Sequence, residues 1–250
     1  MTITSPKNEL VKQLRSLKTR KGRTQSGHHL IEGERLVFDA LTSGMLPSFV
    51  LVREGEEPIC RRLDEMSIPY AEASEQVMLA VCDTETPQGV CASMRTPQTE
   101  PPAQYPKGLV VALDRLQDPG NLGTVIRTAD AFGAAGVLLG EGTTDPFSPK
   151  AIRSAMGSTY HIPIWQGKLP EELKRLRESG FAAVCGHLKG SETLPPLPEN
   201  RVLIIGNEAN GVSDEAAEGC ILYRLPMRGR AESLNAAVFA AILIHKLSED

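Results

Sequence analysis

Apolar positions along the chain recur at two spacings, and their alternation suggests the elements. In residues 7–21, Leu10, Val11, Leu14 and Leu17 recur at helical spacing among basic side chains, which predicts an amphipathic helix. Arg20 to Gly27, rich in Gly, Ser, Thr and charge, reads as a loop. HHLIEG reads as a short strand ending at Gly33, and ERLVFDALTSG as a helix closed by Gly44. FVLVRE is a strand, residues 57–66 and 74–81 suit helices, and GVCASM at 89–94 suits another strand. The first 95 residues therefore read as a small α/β domain. TPQTEPPAQYPKG, residues 96–108, has four prolines and little apolar content, and reads as a linker.

Beyond it the alternation strengthens. LVVAL (109–113), GVLLG (136–140), HIPIW, FAAVCG, RVLIIG (201–206) and CILYRL (220–225) read as strands. NLGTVIRTADAFGA, SPKAIRSAMGS, LPEELKRLRESG and a last stretch from about Glu232 to Leu247 read as helices. Pro149 stands at a first-turn position that tolerates it. Continuous apolar strands between helices predict a parallel sheet covered on both faces. The expected division is residues 1–95, a linker at 96–108, and a second domain over 109–250.

Composition narrows the class. A 41% hydrophobic fraction supports an ordinary core, and no apolar run approaches the roughly 20 residues that cross a bilayer. MTITSPKNEL has no apolar stretch of the signal-peptide kind, so a cytoplasmic protein without a membrane segment is expected. The five cysteines are scattered and form no C-x-x-C pair, which argues against a disulfide framework or a zinc site. Residues 1–30 carry seven basic side chains against one acidic, a net of +6, which leaves −10 on the other 220 residues. Such a segment fits a contact with phosphates or a solvated helix face equally well.

Three strand ends open into unusual loops, the place where parallel α/β sheets bind ligands. After strand 109–113 comes a polar turn from Asp114 to Gly120, then Asn121 at or near a helix N-cap, with Arg127 in the second turn of that helix. The spacing is not G-x-G-x-x-G, which removes the dinucleotide fingerprint of a nucleotide-binding oxidoreductase. The second loop is Gly206-Asn207-Glu208-Ala209-Asn210-Gly211, followed by Ser213 as a potential cap; its glycines suit either turn chemistry or exposure of backbone groups to a flat ligand. The third follows Leu225 and Pro226, runs through Met227 to Arg230, and leads to Ser233, Leu234 and Asn235 at the start of the last helix. Ser233 and Asn235 suit either helix capping or ligand contact. The body of that helix, AAVFAAILI, is apolar nearly all round, which suits a core or a subunit interface.

Together the three segments resemble the SpoU (TrmH-type) branch of the SPOUT RNA methyltransferases, over about 140 residues from Leu109 onward. N-x-G-x-x-x-R-T-A matches at Asn121 to Ala129, G-N-E-x-x-G at Gly206 to Gly211, and L-P-M…S-L-N-A at Leu225 to Ala236. The N-terminal part is similar to the ribosomal-protein-like α/β substrate-binding domain of many members, through its basic start and LIEGERLVFDAL. The resemblance implies a parallel sheet with a trefoil knot, a homodimer formed through the knot region, and S-adenosyl-L-methionine as cofactor. It implies methyl transfer to a ribose 2′-hydroxyl of RNA, ribosomal RNA first because of the full N-terminal domain, with transfer RNA as the alternative. A drug-resistance role and a non-catalytic RNA-binding or ribosome-assembly role belong to the same fold.

Carried over by motif, the cofactor pocket would use Gly206, Leu225, Met227, Leu234 and Asn235, and the catalytic set would be Asn121, Arg127, Glu208, Ser233 and Asn235. The family's Arg is often taken as a base, yet a guanidinium is effectively always protonated. Clamping an RNA phosphate suits its fork geometry better. No metal is expected, because a sulfonium already activates the methyl group. Arg153, Arg228 and Arg230 read equally as RNA contacts and as solvated charges.

Overall fold

A computed structural model of the chain describes residues 2–230 and 233–249, so the expected helix start at Glu232 lies outside the described residues. The chain folds as two compact units, one of residues up to 97 with 147–152, the other of residues 98–146 with 153 onward.

In the first unit, β1 (His28–Glu32), β2 (Pro47–Arg53), β3 (Ala71–Ala73) and β4 (Val90–Arg95) form a sheet in the order β1-β4-β2-β3. Pairing is antiparallel except between β2 and β3. Strand β3 was not anticipated: three residues show no period, and pairing with β2 on one side and a bridge to Ile3 on the other define them. Helix α1 (Glu9–Ser16) buries Val11 and Leu14, and α5 (Glu75–Val81) buries Val77, Met78 and Val81, in one core with Leu30 and Leu51. Helices α3 (Glu34–Thr42) and α4 (Glu57–Glu65) fall where the periodicity placed them.

The expected loop at Arg20 to Gly27 is instead α2 (Arg20–Ser26). Thr19 caps it by accepting the Gly22 N–H at 3.1 Å, and Gly27 ends it at φ 67°. The side chain of Arg23 is buried and donates to the carbonyls of Leu17 and Lys18 at 2.8 and 3.0 Å. Composition hid this helix because a buried arginine, not an apolar stripe, fastens it.

The second unit is a six-stranded, wholly parallel sheet: β5 (Leu109–Leu113), β6 (Gly136–Gly140), β7 (Ile164–Gly167), β8 (Ala182–Ser191), β9 (Arg201–Ile205) and β10 (Ile221–Tyr223). Their order is β10-β8-β9-β5-β6-β7. Strands β5, β6 and β9 are buried along their whole length, as continuous apolar runs require. Helix α6 (Pro119–Ala131) packs against α10 (Ala236–Ser248), while α8 (Leu169–Glu178) packs against α9 (Asp214–Ala217). Helix α7 (Pro149–Ala155) spans residues of both units. The proline-rich stretch contributes Tyr105, which is buried edge-on to Trp165 and donates to Glu172 at 2.7 Å.

Two features of this sheet place the site. Leu113 and Ile205 pair at the adjacent ends of β5 and β9, so the loops beginning at Asp114 and Gly206 start side by side. From the edge strand β10 the chain then returns to α10, which packs on β5, β9 and α6. Residues 224–235 are the connection that makes this return.

Candidate active site

Asp118, not Asn121, is the N-cap of α6: its carboxylate accepts the Asn121 N–H at 2.9 Å, with Pro119 first in the helix. Asn121 is the third helical residue, so its side chain is free for other bonds, and Arg127 lies in the third turn rather than the second. The Asn121 amide donates through Nδ2 to Glu208 Oε1 at 3.0 Å and accepts through Oδ1 from Asn235 Nδ2 at 2.9 Å. One residue from each motif thus joins a single hydrogen-bonded chain. Asn235 is also the N-cap of α10, with Oδ1 accepting from Ala237 and Val238 N–H at 2.9 and 3.2 Å. Capping and site-building are therefore both true of Asn235.

Glu208 ends the chain. Its two oxygens also accept the backbone N–H groups of Gln117 at 3.1 Å and Asp118 at 3.0 Å. Burial pushes its carboxyl pKa up, but the bonds from Asn121 and from the Asp118 and Gln117 N–H groups outweigh it and hold the pKa below its ordinary value. The group is a fixed carboxylate, with its lone pairs committed to three donors.

The loop carrying Glu208 is built tightly. Asn207 and Gly211 exchange backbone bonds at 2.9 Å, and Asn207 Oδ1 accepts the N–H groups of Ala209 and Asn210. Asn207 Nδ2 reaches the carbonyl of Arg115 at 2.9 Å. Buried Asp114 accepts the Ser213 N–H at 2.7 Å and the Arg115 Nε at 3.1 Å. A Cβ on Gly206 would stand 2.1 Å from the Gly211 carbonyl carbon and 2.2 Å from the Val212 nitrogen, so the loop closes only over glycine. Ser213 caps α9, as its position suggested.

Beside this loop lies a cavity of about 860 Å³ at the C-terminal ends of β8, β9 and β10. Asn207, Glu208, Leu225, Met227 and Phe239 are among its lining residues. Of the five expected cofactor residues, Leu225 and Met227 line it, whereas Gly206, Leu234 and Asn235 do not. The sequence reading missed a fourth wall, because β8 continues past Gly186 to Ser191 and brings His187, Lys189 and Glu192 to the rim. Glu192 pairs with Arg224 at 2.7 Å there. The available signal was the same strand-end rule, applied to the polar run after Cys185.

Two expected catalytic residues stand apart. Arg127 is exposed and has no hydrogen-bond partner among the described residues. It sits six residues beyond Asn121, roughly 9 Å along the helix and a third of a turn around it. Ser233 is exposed and likewise has no hydrogen-bond partner among the described residues. Arg228 and Arg230 are exposed in the same connection. Among the described residues no cluster of three His, Cys, Asp or Glu side chains is placed to hold a metal, and no helix is long and apolar enough to cross a membrane.

Known proteins match this arrangement along nearly the whole chain. The SpoU rRNA Methylase family matches residues 108–245, and the MRM3-like substrate binding domain matches residues 8–92. The 23S rRNA (guanosine(2553)-2'-O)-methyltransferase RlmP of Bacillus subtilis (strain 168) is 42% identical over 248 residues, covering 98% of each chain. A crystal structure of an AdoMet-bound rRNA methyltransferase from Sinorhizobium meliloti superposes with a TM-score of 0.87 at 34% identity, over 99% of this chain and 97% of that one. The SpoU methyltransferase AviRb from Streptomyces viridochromogenes, in complex with AdoMet, gives 0.85 at 27% identity over 97% of each chain.

Proposed function

The chain belongs to the SpoU rRNA methylase family, and from that premise we propose that it transfers a methyl group from S-adenosyl-L-methionine to a ribose 2′-hydroxyl of ribosomal RNA. The observation that carries the reading is the Asn235–Asn121–Glu208 chain beside the cavity, which unites all three motifs. The cavity fits the cofactor in size, since sites for nucleoside-sized ligands span about 300–1,000 Å³. It fits in chemistry too, with apolar Leu225, Met227 and Phe239 and polar Asn207 and Glu208 among its lining. Leu225 and Met227 would hold the adenosine, and Gly206 would set the loop that shapes the wall. When bound, the cofactor supplies an electrophilic methyl group on a sulfonium centre.

The protein's task is then to orient the hydroxyl. Arg127 offers donors only, so its role is to clamp an RNA phosphate and fix the adjacent ribose. Asn121, Glu208 and Asn235 hold the three loops in one geometry, and Ser233 offers an exposed hydroxyl two residues before Asn235. Ribosomal RNA is favoured over transfer RNA because RlmP and the Sinorhizobium meliloti enzyme, which match nearly the whole chain with both units included, are named as acting on it. Likeness to the Bacillus subtilis protein supports a cytoplasmic place of work.

The assembly is a homodimer in this reading. Val238 and Ile242 on α10 are 49% and 39% exposed, and Phe132 at the end of α6 is 41% exposed, an apolar face fit for a second copy. The return of the chain from β10 to α10 is the passage a trefoil knot would use. Ribose-methylation mapping of RNA from cells with and without the gene tests the activity. One lost 2′-O-methyl mark in large-subunit RNA is expected. A lost mark only in transfer RNA, or on a base, would overturn the reading.

A further inference from the structure

We propose that the corner between α1 and α2 docks the phosphate backbone of the RNA and contributes affinity without sequence preference. This rests on the RNA reading above. Helix α1 turns Val11 and Leu14 inward, which leaves Lys12 and Arg15 exposed. Lys7 is exposed before the helix, Lys18 is half-buried between the two helices, and Arg20 and Lys21 are exposed on α2. Lys12 pairs with Glu9 at 3.1 Å, and the other five cations have no hydrogen-bond or ion-pair partner among the described residues. Elsewhere in this unit Arg53 and Arg62 are tied to glutamates. Residues 24–97 hold five basic and twelve acidic side chains, so positive charge is segregated at this corner rather than interspersed.

Six cations within fifteen residues repel one another, and a polyanion relieves that repulsion. The corner is also stiff. Buried Arg23 binds the carbonyls of Leu17 and Lys18, and a Cβ on Gly22 would lie 2.1 Å from the Ser16 oxygen. The cations therefore project from a fixed backbone. Residues 7–23 contain no aromatic side chain on which a base could stack, so the contact is with phosphates and blind to sequence.

The test uses the full chain with Lys12→Gln, Arg15→Gln, Lys18→Gln and Lys21→Gln combined. Its probes are a large-subunit ribosomal RNA transcript and an unrelated transcript of matched length. Removing four phosphate contacts is expected to make the slope of log K against log salt shallower by about 3. Both transcripts should lose affinity by the same factor, while calorimetric S-adenosyl-L-methionine binding and melting temperature stay put. A variant exchanging Lys for Arg and Arg for Lys at the four positions should bind like the parent. An unchanged slope overturns the proposal. So does an equal loss in Lys168→Gln/Lys174→Gln, at the N-cap and in the body of α8, or a loss seen only with anionic vesicles. If the parent binds RNA with the steep slope but transfers no methyl group, the corner stands and the functional reading fails. If methylation proceeds and the four-site variant binds RNA as the parent does, the corner alone fails.

Discussion

Glu208 accepts one side-chain and two backbone donors, and this makes it a sensitive probe of the site. In Glu208→Gln an amide N–H faces the N–H groups of Gln117 or Asp118. Loss of one such bond predicts S-adenosyl-L-methionine binding weaker by about tenfold, read by calorimetry. The folded pKa lies below the ordinary 4.5, so the carboxylate's contribution to stability is complete above that value and is lost as pH falls through the folded pKa. The melting-temperature gap between wild type and Glu208→Gln should therefore be constant from about pH 6 to 8 and close at lower pH. Arg127 behaves differently, because nothing in the described structure holds it. Arg127→Lys keeps the charge but loses the fork, so single-turnover methylation should slow by about tenfold or more with cofactor affinity unchanged. Near-normal turnover would remove both the base and the clamp roles.

At the scale of elements, the loop after β9 depends on one position where no side chain fits. Gly206→Ala pushes a methyl group into the Gly211–Val212 backbone and must shift the loop. The expected cost is about 1–3 kcal/mol in urea unfolding, with cofactor binding lost alongside. A stable variant that binds normally would show that the loop closes by another route. The third motif obeys a similar logic, since Asn235 starts α10 and holds Asn121 with the same side chain. The cap was one of the two readings its position allowed, whereas the bond to Asn121 lay outside what spacing can specify. Spacing located α6 and its arginine, but the cap fell at Asp118, because the Asp118 carboxylate accepts the N–H of Asn121 three residues on and so makes Asn121 the third helical residue.

For the whole molecule, the exposed apolar face on α10 predicts self-association. Val238→Glu/Ile242→Glu should sediment as a monomer while the parent sediments as a dimer, and methylation should fall with it. A monomeric parent would instead leave that face without an occupant. Helix α10 is apolar nearly all round, but only Ala237, Ala240, Leu243, Ile244 and Leu247 are buried within the chain. Composition indicated a covered helix, and the fold separated the part covered by this chain from the part left open.

Local pattern alone determined where the strands of the second unit lie, apart from the far half of β8, together with most of the helices and the order of three chemistry-bearing loops. Each of these rests on short-range periodicity or turn preference, which neighbouring residues carry. Tertiary structure decided the rest. Helix α2 depends on one buried arginine reaching carbonyls five and six residues away, and β3 depends on a partner strand. The Asn235–Asn121–Glu208 chain joins residues 87 and 114 positions apart. Such contacts exist only because β5 and β9 end side by side and the chain returns from the sheet's edge to its centre, and no local preference encodes that path.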